Sequence, residues 1–345
     1  MKYTKIPQTD IKVSKICLGT MTYGQQNTEL EAHEQLNYAI DKGINFIDTA
    51  EMYSIPGKKE TQGSTELYIG SWLKDQKREE LVVATKITGP MPYFNYIRPN
   101  LGFKKEVVHD ALNKSLQRLQ TDYVDIYQLH WPERSVNFFG QRNYKHNPDE
   151  KWEDNFKEII HTMDGLVKEG KIRHYGVSNE TSWGVMRQVS ESKINGLTTC
   201  KTIQNPYSLL NRTFEINLAE VSLREKVGLL AYSPLAFGVL SGKYLNGQMP
   251  EQSRLKLFPA YSRYSNPQAM KLTAAYAELA EKNNLSLTEL SLAFVNQRPF
   301  VTSNIIGATS MDQLKENIGS IEVNLSEELL NEIDKIQDLQ PNPAP

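Results

Sequence analysis

Apolar residues along this chain come in short, β-rich runs separated by stretches with helical spacing. The runs are KICLGT (15–20), NFIDTA (45–50), LVVATKI (81–87), YVDIYQLHW (123–131), IRHYGVSN (172–179), KTIQNPY (201–207), GLLAYSPL (228–235) and SNIIGAT (303–309). Each has the length of a single buried strand. Between them, ELEAHEQLNYAIDKG sets Leu30, His33, Leu36 and Ile40 three or four residues apart. KKEVVHDALNKSLQRL does the same with Val107, Ala111, Leu112, Ser115 and Leu119, which is the periodicity of an amphipathic helix. Gly43 and Gly170 close two such stretches, where glycine accommodates the left-handed backbone that ends a helix.

Strands that alternate with helices and read as near-continuous apolar runs predict a parallel sheet covered by helices. Eight units in one chain fit a closed (β/α)8 TIM barrel better than a doubly wound sheet, whose glycine-rich first turn, GxGxxG, is missing. Residues 88–103, 132–152 and 236–265 interrupt the rhythm, each directly after a strand, where a barrel carries its active-site loops. No linker or repeat divides the chain. The expectation is one α/β domain over 1–340, with the Pro-rich residues 341–345 a tail outside the fold.

Composition narrows the class without changing the fold. The 345 residues, 39% hydrophobic and 9% aromatic, supply a large core. Lys plus Arg number 39 against 41 Asp plus Glu, so no overall field favours nucleic acid or an anionic membrane, and the expected partner is a small molecule. Cys17 and Cys200 form no CxxC pair and read as reduced core thiols. No apolar leader or membrane-length run occurs, so the chain is expected to be soluble and cytoplasmic. Oligomeric state is not legible.

In a barrel, function gathers at the C-terminal ends of strands. Read in order, those ends offer Asp48 with Tyr53 just beyond, then Lys86, His130, Ser178 and Asn179, Gln204, and Tyr232 with Ser233. Each alone has a bland reading: Lys86 as a snorkelling lysine, His130 as a satisfied core histidine, Asp48 and Thr49 as caps of a turn. Together they permit specific chemistry. A phenol of pKa about 10 is a poor proton donor at neutral pH, and a nearby ammonium lowers it. Lys86 can supply that charge, while Asp48 holds the lysine and compensates it. His130 adds a neutral N–H with which Tyr53 could grip a carbonyl oxygen. Such a site calls for a hydride, which nicotinamide supplies. Asn179, Ser178 and Gln204 could hold its carboxamide, and Tyr232 could stack on its ring.

With CLGTMTYG, NFIDTAEMY, ATKI, LHWP, GVSNE, IQNPYSLLNR, AYSPLAFGVLSGKY and GATSMDQLKENI, the chain resembles the aldo-keto reductases over nearly its whole length. Within them it is most like the bacterial Tas-type members together with the potassium-channel β-subunit branch. The resemblance implies a (β/α)8 barrel, NADPH-dependent carbonyl reduction, and a tetrad of Asp48, Tyr53, Lys86 and His130 with Tyr53 as general acid. It further implies that Gly19, Thr20, Met21 and Asp48 lie near the nicotinamide, and that Ser178, Asn179 and Gln204 hold the carboxamide beneath a stacked Tyr232. Ser233, Pro234, Leu235, Ala236, Gly238 and Lys243 would line the pyrophosphate. Gly307, Thr309, Gln313, Glu316 and Asn317, with Arg254, would meet the adenine end. Shorter members carry a lysine after the eighth strand, where this chain has Gly307 and Ala308. Preference for NADPH then leans on Arg254 and Lys243, with Arg263 a further candidate.

Three other patterns fail on spacing. GVLSGKY (238–244) has three residues between its glycines where a P-loop has four, and Tyr244 replaces the Mg²⁺-binding hydroxyl. YAIDK (38–42) sits in an amphipathic stretch with no glycine fingerprint before it. The six histidines show no metal-ligand spacing. Two functions remain: a carbonyl reductase, and a cofactor-holding, redox-sensing regulatory subunit with little turnover. The aromatics of PMPYFNY and NFFGQRNY suit a partly apolar substrate pocket or the packing of loops onto the rim.

Overall fold

The computed structural model describes residues 1–345. Its strands are β1 (Tyr3–Lys5), β2 (Lys12–Ser14), β3 (Ile16–Gly19), β4 (Phe46–Asp48), β5 (Val82–Ile87), β6 (Val124–Leu129), β7 (Ile172–Ser178), β8 (Thr202–Pro206), β9 (Gly228–Tyr232) and β10 (Val301–Ile306). Its helices are α1 (Glu29–Asp41), α2 (Ser64–Leu73), α3 (Lys105–Leu119), α4 (Phe156–Lys168), α5 (Ser182–Asn195), α6 (Leu218–Glu225), α7 (Arg254–Leu257), α8 (Pro267–Lys282), α9 (Leu287–Asn296), α10 (Met311–Gly319) and α11 (Glu327–Leu339). Strands β3 to β10 close a parallel barrel in the order β10-β3-β4-β5-β6-β7-β8-β9, the (β/α)8 architecture that the eight apolar runs predict. Every residue of β5 and β6 is buried, because helices cover one face and the barrel interior the other. No helix is long and apolar enough to cross a membrane.

Local chemistry sets the helix ends. Thr28 and Glu31 form a capping box at α1, and Ser286 with Glu289 does the same at α9, each satisfying orphan amides of the first turn. The buried face of α1 is Ala32, Gln35, Leu36 and Ala39. It is rotated from the line through Leu30, since Leu30 is 81% exposed. His33 instead turns toward α2, its Nε2 lying 2.9 Å from Tyr68 O and 3.1 Å from Ser71 Oγ.

Strand β10 ends at Ile306, so Gly307 and Ala308 follow the eighth barrel strand as the sequence reading has them, with Thr309 beyond. Two features depart from that reading. The antiparallel hairpin β1–β2 has strands of three residues, too short to show alternation. It seals the N-terminal end of the barrel, where Ile6, Ile11 and Val13 join Phe46, Val82 and Ile126 in a second core. Residues 341–345 are not outside the fold: Ala344 is 1% exposed, its amide donates to Leu210 O at 3.2 Å, and the Arg212 amide donates to Asn342 Oδ1 at 2.7 Å. Proline withholds its own N–H but leaves its carbonyl, and Pro343 O accepts from Asn266 Nδ2 at 3.0 Å.

Candidate active site

At the C-terminal end of the barrel, neighbouring strands bring polar side chains into one inward-facing layer. Asp48 ends β4, Lys86 lies on β5 opposite Gln128 of β6, and Gln204 lies on β8. Lys86 Nζ donates to Asp48 Oδ2 at 2.6 Å and to Thr49 O at 2.8 Å. Asp48 Oδ1 accepts from Gln204 Nε2 at 2.8 Å and from Gln128 Nε2 at 3.2 Å. Asp48 and Lys86 are 2% and 0% exposed, so each charge depends on these partners for compensation. Gly19 closes the layer against β10, where a Cβ would come 2.7 Å from Ile305 Cγ2.

The turn after β4 carries Tyr53 back over this layer. It is bound to β5 through Thr49 N to Ala84 O (2.9 Å) and Glu51 N to Lys86 O (3.2 Å). Tyr53 Oη lies 3.5 Å from Lys86 Nζ. Burial pushes the Tyr53 phenol up, Lys86 pulls it back only in part, and the net direction is upward. This corrects the expectation that the lysine brings the phenol toward neutrality: desolvation of the phenolate outweighs one ammonium that Asp48 already engages. For Lys86, burial acts downward, but the Asp48 carboxylate and then Tyr53 overcome it and the ammonium is held. His130 meets Tyr53 edge to face, ring centroids 5.9 Å apart. Burial, then Lys86, pushes its pKa well below the usual value, so the imidazole is neutral. Its buried Nδ1 has no partner.

These groups open into a cavity of about 980 Å³. Gly19, Thr20, Met21, Asp48, Tyr53, His130, Ser178, Asn179, Gln204, Tyr232, Ser233, Pro234, Leu235, Gly238, Lys243, Arg254, Gly307, Thr309, Gln313, Glu316 and Asn317 all line it. Lys86 stands behind its wall, and the Ala236 side chain does not reach it, packing into the core instead. Asn179, left-handed at φ 52, donates through Nδ2 to His130 O at 2.9 Å and accepts from Tyr232 Oη at 2.7 Å. Ser178 Oγ donates to Gln204 O at 2.7 Å. The polar residues read as carboxamide holders are thus already tied into one network.

Beyond β9 the backbone is left-handed at Ser233, Ala236, Phe237 and Gly238. The Leu235 and Phe237 amides find no acceptor in the chain. A run of this kind makes a concavity for anions. A Cβ on Gly238 would come 2.9 Å from Lys243 Nζ, so the bare glycine lets the ammonium lie against the turn. Neither Lys243 nor Arg254 forms a salt bridge, and burial is the first of the causes that lower their pKa values. Arg254 lies over the Phe237 ring, 5.1 Å from its centroid. It shares the cavity lining with Glu316 and Lys243, and its charge acts downward on the pKa of Tyr53 and of Lys243. Free amides, unpaired cations and an unpartnered imidazole in one cavity fit a polyanionic dinucleotide.

The aldo/keto reductase family model matches residues 15–338. The chain belongs to the aldo/keto reductase family. It is 48% identical to Protein tas of Escherichia coli, with all of both chains covered. It is also 32% identical to the uncharacterized oxidoreductase YrpG of Bacillus subtilis, over all of this chain and 97% of that one. A Babesia bovis aldo-keto reductase is 35% identical over 69% of this chain and 88% of its own.

In this aldo/keto reductase, sequence reasoning missed two supports of the site. Gln128 shares strand parity with His130, and a buried glutamine two residues before that histidine was the available signal. Glu51 stands in the Tyr53 turn, and its partner Arg98 lies in the loop after β5, 47 residues away. The two form a bidentate pair, and Glu51 Oε1 also accepts from the Thr88 amide at 2.7 Å. One buried carboxylate therefore clamps the Tyr53 turn to the loop whose Met91, Tyr93 and Phe94 line the cavity. Phe94 and Phe139 each pack against Trp131, ring centroids 5.6 Å away, so the loop aromatics do both things left open above: they line the cavity and pack the loops. Glu51→Gln, which keeps the shape and removes the charge, leaves buried Arg98 without its counter-charge and is expected to cost about 3–5 kcal/mol in thermal or urea unfolding. A variant melting with the native protein would show the clamp to be dispensable.

Proposed function

We propose that this protein reduces aldehyde and ketone carbonyls to alcohols with NADPH, with Tyr53 as the general acid. The observation that carries the reading is the phenol placed between a held ammonium and an open cavity, beside a neutral histidine with an unpartnered ring nitrogen. When bound, the nicotinamide supplies a hydride to the carbonyl carbon. The chain's own residues handle the oxygen. Tyr53 gives its proton to the carbonyl oxygen as negative charge gathers there, and the ammonium of Lys86 stabilises the phenolate left behind. Asp48, itself held by Gln128 and Gln204, keeps Lys86 aimed at Tyr53. His130 orients the carbonyl through a neutral N–H, since its pKa lies too low for an imidazolium at neutral pH.

Ser178, Asn179 and Gln204 are the groups to hold the carboxamide and Tyr232 the face for the ring. The 235–238 turn with Lys243 suits the diphosphate, and Gln313, Glu316 and Asn317 suit the adenosine. The phosphate that distinguishes NADPH from NADH is assigned to Arg254, with Lys243 beside it. Arg254→Ala is expected to weaken NADPH by roughly tenfold or more, as loss of a charge-assisted hydrogen bond implies, and NADH far less. Fluorescence titration of both cofactors reads this directly, and equal losses would move Arg254 to the diphosphate.

The reading itself is tested by NADPH oxidation with a panel of aldehydes and ketones. Turnover with activated aldehydes is expected. NADPH binding without oxidation by any of them would support the regulatory-subunit reading instead.

A further inference from the structure

Asp48 Oδ1 accepts from two side-chain amides, Gln204 Nε2 at 2.8 Å and Gln128 Nε2 at 3.2 Å. An ionised carboxylate only accepts, so both glutamines must turn nitrogen toward it. Gln204 Nε2 also donates to Gln128 Oε1 at 3.3 Å, which closes a ring of hydrogen bonds among Asp48, Gln128 and Gln204. These residues stand on β4, β6 and β8. The two glutamines meet across β7 because Gly176, which pairs with Gln128 there, has no side chain to stand between them. A Cβ on it would come 3.4 Å from Gln128 Cγ and 2.2 Å from Thr202 Oγ1.

The ring engages both hydrogens of Gln204 Nε2. Gln204 Oε1 accepts from no group in the chain and is not sealed away as a buried orphan, and the residue lines the cavity. Turning the amide over would set Oε1 against the Asp48 carboxylate and the Gln128 carbonyl, three oxygens with no hydrogen between them. Gln128 itself is 0% exposed and stands off the cavity, so it acts on the site only through its two partners.

We propose that Gln128 is a positioning residue that fixes the Gln204 amide with its carbonyl toward the cavity, so that the nicotinamide site selects a ring substituent able to donate an N–H. This rests on the nicotinamide-dependent reductase reading and names a residue that tunes its cofactor site from behind the wall. Asp48 alone holds one hydrogen of Gln204 and leaves the amide free to swing about that bond. Gln128 holds the second hydrogen and removes the swing, and a carbonyl already aimed loses less freedom when it accepts from the cofactor.

The experiment is equilibrium binding of NADP⁺ and of its 3-acetylpyridine analogue, in which a methyl replaces the carboxamide NH2 and no N–H remains to donate. The native protein is expected to prefer NADP⁺ by on the order of tenfold. Gln128→Met keeps the length of the side chain and removes both polar atoms. It should cut that preference by about threefold or more with the fold intact, since Asp48 keeps Gln204 and Lys86 as donors and no buried polar group is left alone. Gln204→Met should abolish the preference, and adding Gln128→Met to it should move the ratio by less than about twofold, because Gln128 acts through Gln204. Native-like preference in Gln128→Met would overturn the proposal, as would equal affinity of the native protein for the two dinucleotides. A loss in Gln128→Met shared by both dinucleotides would also overturn it and make Gln128 a support of the fold alone. Failure of the native protein to bind NADP⁺ would sink the cofactor reading and this inference with it. NADPH oxidation with aldehydes tests catalysis separately, and its failure leaves the binding ratio to decide the role of Gln128.

Discussion

Tyr53→Phe is expected to lower carbonyl reduction by about 10²–10⁴-fold, the usual contribution of a positioned proton donor, while NADPH binding and the melting temperature stay close to native. The ring keeps its edge-to-face contact with His130. Lys86 keeps Asp48 and Thr49 O as acceptors, so no buried charge is abandoned. The pH profile of the native protein adds a second check. A proton donor must be protonated to act, and burial holds the Tyr53 phenol above its ordinary value despite Lys86. Reduction should therefore show no loss attributable to Tyr53 through neutral pH, and that loss should come only above about pH 10, the unperturbed phenol pKa. The variant should lose this alkaline limb. A Tyr53→Phe variant that reduces activated aldehydes at a rate within about tenfold of native, short of the usual loss, would remove Tyr53 from the proton transfer.

Lys86→Met should be the more damaging change, because it acts on both stability and chemistry. It strips the only ammonium from a carboxylate that is 2% exposed, and breaking a buried ion pair by removing one member costs about 3–5 kcal/mol. The two glutamine amides still donate to Asp48 Oδ1 but cannot replace a full charge. Unfolding should shift accordingly, and reduction should fall at least as far as in Tyr53→Phe, since the phenolate then has no neighbouring cation. The double variant Asp48→Asn with Lys86→Met separates the effects: neutralising both partners should recover much of the stability and none of the rate. Recovery of both would mean that the pair serves the fold alone.

The barrel was legible in the sequence because parallel strands covered on both faces must be apolar nearly throughout, so polar residues at their ends stand out. Asp48, Lys86, His130, Asn179 and Gln204 are such exceptions, and the structure brings four of them to one cavity with Lys86 directly behind its wall. The hairpin β1–β2 was not legible because three-residue strands carry no readable period, and the C-terminal tail was misread because proline content says nothing about where carbonyls find donors. Glu51 and Arg98 are ordinary charged residues until the fold carries them together across 47 positions. The same holds for the energetics. The residue types alone placed a lysine near a tyrosine, which suggests an acidified phenol; the fold decides how deeply the phenol is buried, and that burial reverses the direction. Sequence by itself thus determined the layers, their order and the inventory of reactive groups, all of which follow from local periodicity and residue chemistry. Only the tertiary structure decided which charges are paired, which remain open to the cavity, and how solvation tunes them, because desolvation and Coulomb energies depend on distances in space that no spacing along a chain encodes.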